Sequence, residues 1–302
     1  MAGGLAAVGL WGLAPVATRA AVATLAPLPL LVLRLTAAAL ALLPWAVPVL
    51  RRLPPRRLGR LLAAGTLGLI GYNLPVTVGL QWLPAATAGL LLATEPVWVM
   101  ILGLAFRAER ADGRAWLGSA VALGGVAALA GPAALAGAGG PDGTGGTRAL
   151  AGAGLVLAGT LAFGAYTIVL RPLSQAHGAV PATAASTVVG AVPYLACAGT
   201  LSLPRLAHLA APTWGELAFL AVGSTAAGML LWNLAVLAGG ATRVSLLLYL
   251  EPAVSVAGAV ALLGERLTPA MIIGGVLILA GVAASSGART RRARDLTSLP
   301  GT

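Results

Sequence analysis

The chain has 302 residues, of which 59% are hydrophobic and only 9% are charged, whereas about 25% of the residues of soluble domains are charged. So few charges cannot cover a soluble surface of this size, and the composition predicts a polytopic membrane protein. The net charge of +11 comes entirely from arginines that lie between apolar segments, which excludes a soluble nucleic-acid-binding domain.

Ten apolar segments are long enough to cross a hydrocarbon core of about 30 Å, and each is expected to be helical because a backbone in lipid must satisfy its own hydrogen bonds. We number these predicted spans 1 to 10 along the chain: Gly4–Ala23, Leu28–Leu50, Gly59–Leu80, Pro84–Phe106, Gly113–Gly131, Ala149–Leu170, Val180–Leu201, Trp214–Ala238, Ala241–Leu263 and Pro269–Ser286. The predicted fold class is an all-α membrane protein with ten transmembrane helices.

Polar and aromatic residues in the first three spans are candidates for ligand binding. Arg34 in span 2 either extends to the membrane surface or faces a cavity, where it would pair with Glu95 or with an anionic substrate group. In span 3, Asn73 either joins helices through its amide or, beside Tyr72, orients a ligand. Trp11 in span 1 is a weaker candidate, since aromatic residues in spans more often serve packing or interfacial anchoring.

Span 4 carries an acidic residue, Glu95, near its middle. Inserting a carboxyl group at the midplane costs on the order of 3 kcal/mol, and desolvation favours its neutral form. Glu95 therefore either carries a proton or binds a cationic group during transport, or it is a structural hydrogen-bonding partner of another helix. The next residue, Pro96, has no N–H for the Leu92 carbonyl, which predicts a kink and a free carbonyl beside a cavity.

A Gly-rich segment, residues 132–148, divides the spans into two sets of five and predicts a flexible linker. The flanking units are residues 4–131 and 149–286. Residues 287–302 are rich in arginine and predict a disordered cytoplasmic tail.

The second unit repeats the first. A shift of 156 residues places Glu95-Pro96 on Glu251-Pro252, and a shift of 152 places Trp11-Gly12 on Phe163-Gly164. Since five is odd, the second unit enters the membrane from the opposite side, which predicts two inverted five-helix repeats. With both termini cytoplasmic, 14 of the 19 arginines lie on the inner side and three on the outer side, as the positive-inside rule expects.

The later spans hold the remaining candidates. Glu251 in span 9 has the same two interpretations as Glu95, and Pro252 the same helix-breaking role as Pro96. Trp232 with Asn233 in span 8 parallels the tyrosine and asparagine of span 3, and Tyr249 is a weaker aromatic candidate. Two further predictions concern span ends: Arg19 extends to the membrane surface, and Thr268 is the N-cap of span 10 with Pro269 in its first turn.

Several kinds of chemistry have no support in the sequence. The sequence has no Walker motif and no GxGxxG loop, so nothing in it indicates nucleotide use. The two histidines lack metal-ligand spacing. The sequence also lacks a paired nucleophile and base of the kind that would predict an enzyme. The single cysteine, Cys197, lies in an apolar stretch and is expected to be a small buried hydrophobe. We therefore expect no cofactor and no metal.

The motifs in spans 4, 9 and 10 resemble those of the EamA type of the drug/metabolite transporter superfamily. They are the Glu-Pro pairs, the Gly264-Glu265-Arg266 element with its first-half copy Ala108-Glu109-Arg110, the run Gly274–Val282 and the opening pair Trp11-Gly12. The resemblance implies ten helices in two inverted repeats around a central cavity, with export or exchange of amino acids, purine-like compounds or drug-like cations. At their span ends, Glu109 and Glu265 are interpreted as interfacial ion pairs with the adjacent arginines.

The predicted function is secondary transport of small metabolites outward across a bacterial inner membrane, by alternating access of the two halves. Proton coupling through Glu95 or Glu251 is a subsidiary hypothesis. The expected partners are a small-molecule substrate and the lipid bilayer, with the chain acting as a monomer or homodimer. The alternative is a non-transporting membrane scaffold or sensor.

Overall fold

A computed structural model describes residues 2–95, 144–239 and 250–281. It also describes the isolated positions 98, 101–102, 117–118, 120–121, 124–125, 128 and 284. All the regular secondary structure of these residues is helical. In the first half the helices are α1 Ala2–Ala21, α2 Pro27–Arg52, α3 Pro55–Gly65, a π-helical segment Thr66–Asn73, α4 Leu74–Gly79 and α5 Ala85–Leu92.

In the second half the first helix, α6, starts at Thr144, five residues before the predicted start of span 6 at Ala149. The elements of this half are α6 Thr144–His177, α7 Ala179–Ala196, a short 3₁₀ turn Ala198–Thr200, α8 Leu203–Ala207, α9 Ala211–Ala218, a π-helical segment Phe219–Ala227, α10 Gly228–Gly239, α11 Glu251–Leu263 and α12 Pro269–Gly281.

A helix can continue beyond the predicted end of its span, where the chain leaves the hydrocarbon core. Span 6 was expected to stop at Leu170, before Arg171 and Pro172, but α6 continues to His177 and keeps Pro172 inside it. Apolarity marks the part of a helix in lipid, whereas the helix itself continues into the polar region. Most of span 5, the second part of span 4 and the first part of span 9 lie outside the described residues.

The described helices have the length and surface of membrane helices. Six of them are long and apolar enough to cross a bilayer: Ala2–Ala21, Pro27–Arg52, Pro55–Gly79, Gly146–His177, Ala179–Ala196 and Ala211–Trp232. Large apolar side chains point outward, among them Leu40, Leu262 and Val276, which are 65%, 70% and 61% exposed. So much exposed apolar surface requires a lipid environment, and the protein is an integral membrane protein.

The two π-helical segments occupy equivalent places in the two halves. In the first, the Asn73 amide Nδ2 donates to the Gly68 carbonyl, five residues back, at 3.0 Å. In the second, the Thr225 hydroxyl donates to the Leu220 carbonyl, also five residues back, at 2.8 Å. The same shift of 152 residues relates both pairs. A side chain that bonds a carbonyl in its own helix distorts the regular ladder, and π-helical turns often accompany functional sites.

Each π-helical segment has a second carbonyl bonded from a neighbouring helix. The Tyr194 hydroxyl donates to the Leu69 carbonyl at 3.1 Å, and the Trp11 indole N–H donates to the Ser224 carbonyl at 2.9 Å. The segments are therefore built into the packing between helices and are not isolated irregularities.

Glycines allow the helices to pack at backbone distance. A Cβ atom on Gly65 of α3 would lie 2.8 Å from the Ser186 carbonyl oxygen and 2.9 Å from the Gly190 nitrogen of α7. On Gly12 of α1, it would lie 2.7 Å from the Cβ of Val254 in α11. Small residues are required at both crossings.

The predicted N-cap of span 10 is confirmed. The Met271 N–H donates to the Thr268 hydroxyl at 3.2 Å, which is the bond from the third helical residue to an N-cap side chain. Pro269 starts the helix, where its missing N–H has no intrahelical partner to lose.

Candidate functional site

A cavity lies between the two halves, with an empty volume of about 870 Å³ that includes its open mouth. Apolar and aromatic side chains form most of its wall, and the residues on it with hydroxyl, amide or charged groups are Thr18, Arg34, Tyr72, Asn73, Thr77, Glu95, Tyr166, Thr187, Ser224, Thr225 and Glu251.

Several lining residues are equivalent under the internal repeat. The shift of 152 pairs Trp11 with Phe163 and Asn73 with Thr225, and both members of each pair line the cavity. The shift of 156 pairs Glu95 with Glu251, which also both line it. The two halves thus contribute matching positions to one site, although the side chains at those positions often differ.

Glu95 follows an interruption of its helix. α5 ends at Leu92, and the N–H groups of Ala93 and Thr94 donate only three residues back, at 3.2 and 3.0 Å. The Thr94 hydroxyl also bonds the Leu91 carbonyl, at 2.7 Å. A helix end at Leu92 agrees with the prediction that Pro96 leaves the Leu92 carbonyl without a donor; Pro96 itself lies outside the described residues.

Glu251 is the first residue of α11, and Pro252 lies in the first turn of that helix, where a proline N–H is not needed. Gly12 packs against the Glu251 carbonyl, which a Cβ on the glycine would approach to 2.8 Å. The Trp11-Gly12 pair therefore has two tasks: the tryptophan lines the cavity, and the glycine lets the helix of Glu251 approach α1.

The two glutamates are close enough to interact electrostatically with each other and with Tyr72. Glu95 is 9% exposed. The helix that precedes Glu95 touches the helix that begins with Glu251, because α5 packs on α11 and the Ser255 hydroxyl donates to the Ala85 carbonyl at 3.4 Å. The arrangement places two carboxyl groups on one wall of the cavity.

Arg34 faces the cavity and not the membrane surface, which decides between its two predicted roles. It is 8% exposed, and its Nε donates to the Thr225 hydroxyl of the other half at 3.2 Å. It interacts electrostatically with Tyr72 and Tyr194. Among the described residues no ion pair is seen between it and Glu95, and the partner of Nε is the Thr225 hydroxyl.

Tyr72 lines the cavity and lies near Arg34 and both glutamates. Its ring packs on Phe163 with centroids 5.2 Å apart, and Phe163 in turn packs on Tyr166 at 5.7 Å. The Asn73 amide Nδ2 bonds a carbonyl of its own helix, where it supports the π-helical segment.

The remaining predicted site residues are placed unevenly. Trp232 packs on Trp11 with ring centroids 5.2 Å apart, and it supports that residue from behind without itself lining the cavity. Asn233 belongs to α10, but its side chain is outside the described part of the structure, as is the whole of Tyr249.

Arg19, which was predicted to extend to the membrane surface, bonds the C-terminal end of another helix. Its Nη1 donates to the carbonyls of Leu80 and Gln81, at 2.8 and 2.7 Å. These carbonyls follow α4, so the guanidinium neutralises the negative end of that helix. The carbonyl oxygens at this helix C-terminus thus bind the Arg19 guanidinium in place of water.

Glu265 also has a role other than the predicted ion pair. Its two carboxylate oxygens accept the N–H groups of Ala85 and Ala86, at 2.7 and 3.0 Å, and so cap the N-terminus of α5. Gly264 precedes it with a positive φ of 66° that ends α11. The Gly-Glu-Arg element thus ends one helix and caps another from the opposite half, a partner that no local pattern identifies.

We expect Glu265→Gln to lower the free energy of unfolding by about 1 kcal/mol, because the amide loses one acceptor oxygen and the charge at the helix N-terminus. Thermal unfolding of the purified protein in detergent measures the change. Arg266→Gln is the control: an interfacial ion pair would make the two substitutions equally costly, whereas a cap makes only the glutamate substitution costly.

Sequence reasoning missed Thr225, which bonds both Arg34 and the backbone of its π-helical segment. The signal was available, because the shift of 152 places the candidate Asn73 on Thr225. A threonine in an apolar span is common, however, and only the position of Arg34 in space distinguishes this one.

Comparison with known proteins adds a family match over both halves. The model of the EamA-like transporter family matches residues 1–131 and again residues 150–287. A probable terminal-alkyne amino-acid exporter of Streptantibioticus cattleyicolor is 30% identical over 273 residues, which are 89% of this chain and 86% of that protein. A probable amino-acid metabolite efflux pump of Salmonella typhimurium is 28% identical over 246 residues, 74% of this chain and 78% of that one.

A crystal structure with 20% sequence identity has a similar fold, with a TM-score of 0.63 over 96% of each chain. At that identity the similarity concerns the fold alone.

Proposed function

Since the chain belongs to the EamA-like transporter family, we propose that it is a secondary transporter that exports small amino-acid-like metabolites through the cavity between its halves. The observation that carries the proposal is the pair of repeat-equivalent glutamates, Glu95 and Glu251, on one wall of that cavity. Ionisable groups within spans usually belong to a transport pathway. The family and the names of the relatives indicate a transporter rather than an enzyme.

The proposed architecture is ten helices in two inverted repeats, residues 4–131 and 149–286. The double family match and the paired π-helical segments support it. Contacts at the helix ends agree with it: Arg19 and Glu265, both outer in the proposed topology, bind the same connection between α4 and α5. At the other end, Arg57 Nη1 lies 3.3 Å from His177 Nε2, and both are predicted to be inner.

The proposed mechanism is alternating access, in which the cavity opens in turn to the two sides of a bacterial inner membrane, with both termini in the cytoplasm. Sites near the midplane at a repeat interface, beside interrupted helices, are typical of secondary transporters. The end of α5 at Leu92 gives such an interruption before Glu95, and Glu251 lies in the first turn of α11. The cavity is formed within one chain, so a monomer suffices for transport.

The substrate class follows from the charges on the wall. Arg34 offers a cation, Glu95 and Glu251 offer carboxyl groups, and aromatic rings fill much of the surface between them. A small molecule with a carboxylate, an ammonium group and an apolar side chain matches all three features. The names of the two relatives, an amino-acid exporter and an amino-acid metabolite efflux pump, favour the same class.

Transport by the purified full-length chain in liposomes tests the proposal. We expect efflux of preloaded labelled L-leucine or L-phenylalanine well above protein-free liposomes, and little movement of adenine or tetraphenylphosphonium. Movement of adenine or the lipophilic cation without the amino acids would contradict the substrate class. Protein-dependent movement of none of the four would favour the alternative, a non-transporting scaffold or sensor.

A further inference from the structure

The guanidinium of Arg34 is held from the opposite half of the molecule. Arg34 lies in α2 of the first half, and Thr225 lies in the π-helical segment of the second half. The Arg34 Nε donates to the Thr225 hydroxyl at 3.2 Å, and that hydroxyl donates its own hydrogen to the Leu220 carbonyl at 2.8 Å. The backbone of a helix therefore fixes the direction of the hydroxyl, and the hydroxyl fixes the guanidinium.

This bond selects which edge of the guanidinium can bind a ligand. Arginine binds a carboxylate best through two parallel N–H groups. Because Nε is hydrogen-bonded to Thr225, the edge formed by Nη1 and Nη2 is the one that can bind a carboxylate through two hydrogen bonds. Arg34 lines the same cavity as Glu95 and Glu251.

The two halves differ at the position of Arg34, so the two ends of the binding site are chemically unlike. The shift of 152 places Arg34 on Ser186, whose hydroxyl is buried and donates to the Thr183 carbonyl at 2.9 Å. At these equivalent positions the first half supplies a cation and the second a neutral hydroxyl bound to its own backbone. A substrate with two unlike ends therefore binds in one orientation.

We propose that Thr225 is a positioning residue that orients Arg34 to bind the carboxylate of the substrate, so that the cavity selects amino acids over amines of the same shape. The inference rests on the proposed function, because it concerns the same cavity. Thr225 acts through Arg34, and its removal should weaken binding of carboxylate-bearing molecules alone.

A matched series of ligands tests this: L-leucine, L-leucinamide, which has no charge at the carboxyl carbon, and 3-methylbutylamine, which lacks that group. Their dissociation constants are measured by calorimetry with the purified full chain. We expect the wild type to bind L-leucine about tenfold or more tightly than the other two, as for a charge-assisted hydrogen bond. Thr225→Val should weaken L-leucine binding about tenfold and change the other two less than about twofold.

Conservative variants separate positioning from folding. Thr225→Ser keeps the hydroxyl and should restore L-leucine binding, while Arg34→Gln should remove the preference for L-leucine. Thr167→Val is the matched control, since Thr167 also bonds a carbonyl of its own helix, at 2.9 Å to Phe163, but is exposed. If Thr225→Val unfolds in detergent, the comparison of Thr225→Ala with Thr225→Ser decides in the same way.

Equal weakening of all three ligands by Thr225→Val, or no rescue by Thr225→Ser, would overturn the inference. Transport of L-leucine without preference for its carboxylate would also overturn it, while leaving the proposed function intact. Conversely, carboxylate-selective binding that depends on Thr225, with no transport in liposomes, would support the inference and contradict the proposed function.

Discussion

Replacing either cavity glutamate by glutamine should reduce the efflux of L-leucine from liposomes about tenfold or more. Glu95 and Glu251 are the acidic residues on the wall of the described cavity, and an ammonium group loses a charge-assisted hydrogen bond when a carboxylate becomes an amide. The volumes of the two side chains are nearly equal, so packing should survive and the effect should appear in transport and not in thermal stability.

The same variants test proton coupling. With a pH gradient across the liposome membrane, wild-type efflux should rise or fall with the direction of the gradient if a carboxyl group carries the proton, and the response should disappear in Glu95→Gln or Glu251→Gln. Glu216→Gln is the control, because Glu216 lies in α9 and does not line the cavity. Efflux that ignores the gradient in the wild type and is unchanged in both variants would rule out coupling through these residues.

Gly65→Ala should give the largest loss of stability among the single substitutions considered. The added Cβ meets the Ser186 carbonyl oxygen at 2.8 Å and the Gly190 nitrogen at 2.9 Å, and both are backbone atoms that cannot rotate away. Separating α3 from α7 enough to admit the methyl group should cost about 1–3 kcal/mol, which lowers the melting temperature in detergent by several degrees.

Gly154→Ala is the matched control for that experiment. Gly154 lies in α6, and a Cβ there has no other heavy atom within 4 Å. Alanine in a helix interior is intrinsically more stable than glycine, so this variant should melt at or above the wild-type temperature. Equal destabilisation by both substitutions would mean that the α3–α7 crossing is not the cause.

Local rules predicted the features that depend on one segment at a time. Apolar length located the described helices, and the threonine before Pro269 predicted the N-cap that Met271 confirms. Glu95 and Glu251, which the sequence singles out by their midspan positions, both line the cavity. These predictions rest on the transfer of side chains from water to lipid and on hydrogen bonds within one helical turn, which both act over a few neighbouring residues.

Contacts between distant segments were not predictable in the same way. Arg19 and Glu265 were each assigned to the membrane surface from their place near a span end, yet they bind backbone groups of the α4–α5 connection. Both sequence separations are long, and a charge near a span end has the same local pattern whether water or a helix terminus receives it. Only the packing of the two halves determines which of these partners binds the charged side chain.

The contacts of α5 with α11 determine how the two glutamates can move. Glu265 ties the end of α11 to the start of α5, Ser255 bonds Ala85, and Gly89 packs directly against Ser255. These two helices, one from each half, therefore form a single mechanical body. We expect a rearrangement that opens the cavity to move α5 and α11 together, and Glu251 with them, while Glu95 is joined to this body through the turn at Ala93–Thr94 and Arg34 lies on another helix, α2.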